Sequence, residues 1–203
     1  MITVVASLFD PNEKSFSFSR CYSEEWVEKL YRGFARNLTR PFRFVCFTER
    51  ERTFAHAEIE QERFAAAVPT YTDGYDLYRL PGPLIVLGLD TIITGNIDHL
   101  ADYCMTADKV ALPRAVYRKG VCNGVALTPA DHAAIYRDWR GENDMDWLEA
   151  QPHVVIDDLW PGHVVSYKGR VKHRGLGDAR IVFFHGKEKP HELNEPWIAE
   201  HWR

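Results

Sequence analysis

No apolar run in this chain approaches the ~18 residues needed to cross a bilayer, so no membrane span is expected. The first residues, Met-Ile-Thr-Val-Val-Ala-Ser-Leu, lack the basic start and long apolar stretch of a secretory signal. Cysteine is sparse: Cys21, Cys46, Cys104 and Cys122 show neither CxxC pairing nor metal-finger spacing. Cys46 and Cys122 lie in apolar runs and read as small core residues, which points to a reducing, cytoplasmic setting. Positive charge is not in excess. A net charge of -4 gives no reason to expect a nucleic-acid partner. There is no internal repeat and no low-complexity tract, which leaves no sequence sign of a solenoid or linker array.

What is present fits one globular domain. The chain has 203 residues, 45% hydrophobic and 27% charged, enough to bury a sizeable core. The charge is uneven. Between His163 and Pro190, Lys168, Arg170, Lys172, Arg174, Arg180, Lys187 and Lys189 stand against only Asp178 and Glu188. That segment is therefore +5 and the rest is -9. Such a local cluster suits an anionic small ligand, or else forms a solvated face.

The first fifty residues read as strand, helix, strand. Ile2–Leu8 is a β-branched run. Ser23 can cap a helix whose Trp26, Val27, Leu30, Tyr31, Phe34 and Leu38 form one apolar stripe. After Pro41, Arg43–Phe47 makes the second strand. A short edge strand is expected near Ala57–Ile59, and Pro69–Gly82 reads as loop with at most a turn at Asp76–Leu80. Leu84–Leu89, bounded by Pro83 and Asp90, reads as a buried parallel strand. Val110–Leu112, Val121–Leu127, Val164–Tyr167 and Ala179–Phe184 are further strand candidates. Thr128-Pro129-Ala130-Asp131 opens a helix expected to reach about Arg140, and Asp144–Ala150 suits a short one.

Three places combine chemistry-bearing residues. Asp90 stands at the carboxyl end of its strand, where open α/β sheets bind ligands, and its carboxylate could hold a hard cation or merely cap the next turn. Asn123-Gly124 interrupts an apolar strand, which suggests a close-lying ligand or a β-bulge. In Phe183-Phe184-His185-Gly186-Lys187-Glu188-Lys189-Pro190, an imidazole that could ligate a metal or serve structurally precedes two lysines suited to phosphate. Together, a carboxylate, a histidine and lysines at strand ends describe a metal–diphosphate site.

At these positions the chain resembles the GT-A-fold glycosyltransferases. It is most similar to the retaining family of glycogenin and bacterial lipopolysaccharide galactosyltransferases, and to small bacterial glycosyltransferase-like chains of this length. Five patterns match in order over Ile2 to about Trp197. They are Tyr22 with the helix leading to Cys46-Phe47-Thr48-Glu49, the Asp-x-Asp stretch Leu84–Asp98, Cys122-Asn123-Gly124-Val125, Asp144–Leu148, and the C-terminal patterns Trp160–Lys168 and Phe184–Pro190. The resemblance implies an α/β, Rossmann-like mixed sheet flanked by helices. Residues 1–100 would form the nucleotide-binding half, and 101–203 the acceptor half with the basic segment.

The implied activity is transfer of a hexosyl group from a nucleotide diphosphate-sugar to a carbohydrate or lipid-linked hydroxyl, metal-assisted and retaining, in polysaccharide biosynthesis; a homo-oligomer is allowed. Asp90 and His185 would hold Mn²⁺ or Mg²⁺. Lys189, helped by Lys187 or Arg79, would stabilise the leaving diphosphate. Ser7, Tyr22 and Glu49 would lie at the base end, Gly88, Leu89, Gly124 and Gly186 along the donor, and Asn123 and Asp146 toward the sugar or acceptor. Two departures stand out. Gly88 replaces the first acid of Asp-x-Asp, and His185 lies two residues late, with Phe183 in its family place. Gly88 therefore leaves a non-catalytic nucleotide-sugar binder as the alternative. A sugar nucleotidyltransferase is disfavoured, because Phe9–Lys14 has no glycine for a triphosphate loop.

Overall fold

The computed structural model describes all 203 residues. The chain opens with β1 (Ile2–Leu8), α1 (Glu24–Asn37), β2 (Phe42–Thr48), β3 (Ile59–Arg63) and β4 (Leu84–Leu87). It continues through β5 (Thr91–Ile93), α2 (Asp98–Thr106), β6 (Val110–Leu112), β7 (Val125–Thr128), α3 (Ala133–Arg137), α4 (Asp144–Ala150), β8 (His153–Val155), β9 (Val164–Ser166) and β10 (Ile181–Phe183). Seven strands form one mixed sheet in the order β3-β2-β1-β4-β7-β6-β8, and β5-β10-β9 form a second, smaller sheet. The expected α/β class and mixed central sheet are therefore present in a single domain.

Side-chain alternation along the strands divides the core. Val4 and Ala6 of β1 and Ile85 and Leu87 of β4 pack with α1 and α2 on one face. Val5 and Val86 pack on the other, with Tyr75, Leu77 and Leu148. On α1 the buried residues Trp26, Val27, Leu30 and Phe34 follow the helical period. Each such side chain contributes about 1.5–3 kcal/mol when fully buried. That outweighs the roughly 1 kcal/mol that Gly33 costs mid-helix. A Cβ on Gly33 would lie 3.3 Å from the Ile93 side chain, so the glycine lets α1 cross β5 closely.

Two features of the topology place the site. First, β2 and β4 flank β1 on opposite sides, all parallel. The strand order reverses there, and such switch points hold ligands beyond the strand ends. Second, β5 pairs antiparallel with β10, with Phe183 opposite Thr91. The Phe184 N–H donates to the Asp90 carbonyl at 3.1 Å, locking the two chain segments side by side. Residues nearly a hundred positions apart thereby meet at the end of β4.

Several expected elements differ. The edge strand runs over Ile59–Arg63 rather than Ala57–Ile59, and Tyr71–Arg79 forms a 3₁₀ helix within the expected loop. The strand expected over Val121–Leu127 begins only at Val125; Val121 makes an isolated bridge to Arg114. The helix expected from Thr128 to Arg140 is reduced to α3. Thr128 is still paired with Leu84 in the sheet. The buried His132 ring then lies among the carbonyls of Pro129, Tyr78 and Leu80, at 2.7, 3.1 and 3.0 Å, and ties this turn to the 3₁₀ segment. The structure adds α2, β5 and β8 to the expected elements. The Trp-rich tail folds back: Trp202 meets Trp26 edge-on at 4.7 Å and receives the Lys29 ammonium 3.9 Å from its ring centroid.

Candidate functional site

A cleft of about 530 Å³ opens where β1 and β4 end. That is the size of a small-molecule site. Ser7 and Leu8 of β1, the turn Gly88-Leu89-Asp90 after β4, and His185, Gly186 and Lys189 after β10 contribute to its walls. Tyr22 closes one side, and Asn123 and Gly124 another. Glu49, Arg79, Asp146 and Lys187 do not line it. Glu49 accepts from Arg52 at 2.8 Å, beyond the cleft. Arg79 donates to the Arg63 carbonyl and lies 3.6 Å from Glu62. Asp146 is exposed, 3.6 Å from Arg118, and Lys187 points to solvent.

The centre of the cleft is an ion pair. The Lys189 ammonium donates to Asp90 Oδ2 and, at 2.8 Å, to the Tyr22 hydroxyl. Tyr22 in turn donates to Asp90 Oδ2 at 2.9 Å. Lys189 is only 2% exposed and Asp90 8%, so both charges are largely withdrawn from water. Burial and then the Asp90 charge push the Tyr22 hydroxyl's pKa up, keeping it a neutral donor. An ammonium has three donors. Two are used here, which leaves one for the cleft. The Phe18 ring centroid lies 5.2 Å from the ammonium, within cation–π range.

The loop that delivers Lys189 is tightly bent. Gly186 has φ 62° and Glu188 φ 65°. The left-handed conformation at Glu188 costs roughly 1 kcal/mol or more. Glu188 is held by ion pairs to Lys172 and, at 3.9 Å, Lys168. His185 contacts Ser166 Oγ at 2.8 Å through Nε2. Burial, with help from Lys168, lowers its pKa and keeps the ring neutral at neutral pH.

On the opposite wall, Asn123 donates to Asp144 Oδ2 at 2.6 Å. Asn143 caps α4 by accepting from Met145 N at 3.1 Å, which places Asp144 at the first helical position and in the cleft. The buried Tyr75 hydroxyl has no partner, and its ring stacks on Trp139 with centroids 4.3 Å apart. Gly124 answers to a neighbour in the protein: a Cβ there would lie 2.7 Å from the Phe183 ring. Sequence reasoning missed Asp144, Phe18 and the depth of Tyr75. The helix-capping Asn143 could have selected Asp144, and Phe16-Ser17-Phe18 is conspicuous within a polar loop, where those two rings stack 5.2 Å apart.

The residues present do not supply the divalent-cation site that the resemblance implies. No group of three or more His, Cys, Asp or Glu side chains in the protein is arranged to hold a metal ion. Gly88 stands where the first acid would be, and a Cβ on it would lie 2.8 Å from Asp90 Oδ1. Asp90 Oδ2 already accepts from Lys189 and Tyr22. A dication placed about 4 Å from that ammonium would meet a repulsion on the order of 8 kcal/mol at an effective dielectric of ~20.

No family profile matches the chain, and no curated protein matches it. Solved structures do. GlyE, a glycosyltransferase of Streptococcus pneumoniae, superposes with a TM-score of 0.61 at 13% identity, covering 95% of this chain and 56% of GlyE. The apo structure of the bifunctional glycosyltransferase WbbM gives 0.60 at 11%, covering 98% and 50%. The chain thus spans about half the length of these two. The galactosyltransferase LgtC, solved with donor and acceptor sugar analogs, gives 0.53 at 10% identity, covering 93% of this chain and 88% of LgtC. At such identities the likeness is one of architecture, and in architecture this chain has the GT-A fold of the glycosyltransferases.

Proposed function

We propose that the cleft binds a nucleoside diphosphate-sugar and that the protein transfers the sugar to a hydroxyl acceptor. The observation that carries this reading is the buried Lys189 ammonium at the switch point of the sheet, with one donor left over for an anion. Aromatic walls support it. Phe9, Phe18 and Tyr71 offer apolar faces on the β1 side, where a base would lie. Asp144 and Asn123 offer polar groups to sugar hydroxyls. Tyr117, 77% exposed at the cleft edge beside His185, gives an acceptor sugar a ring to stack on. LgtC, which shares the fold, was captured with donor and acceptor sugar analogs, consistent with such a site.

In the proposed reaction the bond between the anomeric carbon and the diphosphate oxygen breaks, and its electron pair leaves with the nucleoside diphosphate. The acceptor oxygen forms the new bond and its proton passes to the departing phosphate. Lys189 donates to the oxygen that gains charge. Asp90 and Tyr22 hold the ammonium in place. Only two carboxylates line the cleft, Asp90 and Asp144, and both are engaged, by Lys189 and Asn123 respectively. Neither stands free as a covalent nucleophile, so the retention that the resemblance implies would proceed without an enzyme-linked sugar.

A thermal-shift screen of UDP-, GDP-, ADP-, CDP- and dTDP-sugars, followed by donor-hydrolysis assays, tests the reading. One nucleotide should stabilise the fold and its sugar should be released slowly to water. Gly88 favours a second reading, a non-catalytic binder. Stabilisation without any hydrolysis or transfer would select it.

A further inference from the structure

We infer that this site grips the diphosphate without a divalent cation, the Lys189 ammonium standing where a cation's charge would otherwise be needed and Asp90 serving to position it. The inference deepens the donor-binding reading above and rests on it. Gly88 has removed one carboxylate of a potential cation site. The remaining one, on Asp90, already accepts from an ammonium and a phenol, both at Oδ2. The Gly88 backbone lies so near Asp90 Oδ1 that a side chain at 88 would displace the carboxylate. Lys189 is packed too, with its backbone N–H on Glu192 at 2.8 Å and its ammonium near Phe18.

The two ways of neutralising diphosphate respond oppositely to one substitution. If Asp90 ligated a cation, Asp90→Asn would abolish nucleotide binding. If Lys189 binds phosphate directly, Asp90→Asn, with its fold verified by circular dichroism, keeps an amide oxygen and the Tyr22 hydroxyl to position the ammonium while removing the competing negative charge, and binding persists or tightens.

The experiment is calorimetric titration of the purified protein with UDP, GDP, ADP, CDP and dTDP, each in EDTA and in Mn²⁺. One nucleotide should bind in both buffers with dissociation constants within about threefold, and Asp90→Asn should bind it in EDTA as tightly or up to about tenfold more tightly. Lys189→Met alone leaves Asp90 buried without a countercharge and can unfold the chain, so Asp90→Asn/Lys189→Met is the informative variant. It removes both charges together, and with its fold verified by circular dichroism it should bind about tenfold or more weakly than Asp90→Asn. Binding that appears only with Mn²⁺, or is lost in Asp90→Asn, overturns the inference while leaving the donor-binding reading intact. Absence of binding to all five nucleotides in both buffers overturns the donor-binding reading, and the inference with it.

Discussion

Two cations are buried in this protein, and they are satisfied differently. The side chain of Arg52 is 2% exposed and that of Lys189 is 3% exposed. Arg52 lies off the cleft, with its terminal nitrogens donating to three carboxylates: Glu24 at 2.8 Å, Asp10 at 2.9 Å and Glu49 at 2.8 and 3.0 Å. It pins the loop after β1 to the end of β2 and the start of α1. Lys189 lies in the cleft and has one carboxylate, one phenol and an unused donor. A buried cation surrounded by excess negative charge holds protein together. One that meets a single anion retains attraction for another. Burial alone would not have told the two apart; the count of partners does.

Removing each cation should have different consequences. The largest effect is expected for Lys189→Met, which strands a buried carboxylate and should cost about 3–5 kcal/mol by urea unfolding. Arg52→Met should cost less, about 1–3 kcal/mol, because Asp10 and Glu24 are 57% and 34% exposed and can turn to water. It should leave nucleotide affinity nearly unchanged in the folded fraction. Gly124→Ala asks whether the Asn123–Gly124 wall is set by packing. The new Cβ meets the Phe183 ring, and thermal unfolding should report a loss of about 1–3 kcal/mol.

The smallest effect is pH. His185, His99 and His163 have pKa values lowered in the fold, chiefly by burial. Below pH ~6.5 the unfolded chain therefore binds more protons than the native one, and stability falls as pH drops through that window. In the Arg52 cluster, the hydrogen bond from Arg50, joined by one from Arg52, holds Asp10 at about 2. Its contribution persists until pH falls below the ordinary carboxylate value near 3.8. A modest loss in Tm between pH 7.5 and 5.5 is expected, partly removed in His185→Gln.

How much of this was legible depended on the range of the forces involved. β4 and its terminal Asp90 could be read because an unbroken apolar run ending in a carboxylate is a local signal. α1 could be read from its stripe. In the second sheet β9 and β10 could be read as short apolar runs, but β5 and the pairing of the three could not, since each strand is three residues long and their partners lie far apart in the chain. The helix after Thr128 was overestimated because good capping residues lost to sheet pairing and to His132's contacts. In α4 the segment was identified but not the residue. Asp144 and Asp146 lie two positions, about 200°, apart on the helix, so only one can face the cleft. The Asp90–Lys189 contact joins positions 99 apart, a pairing that no local pattern announces.

The most direct test is a crystal structure of the protein grown with the nucleoside diphosphate it binds and with Mn²⁺. The account predicts a phosphate oxygen within about 3.2 Å of Lys189 Nζ, with the contact between Lys189 and Asp90 preserved. Manganese on Asp90, with Lys189 swung away from the phosphates, would contradict it.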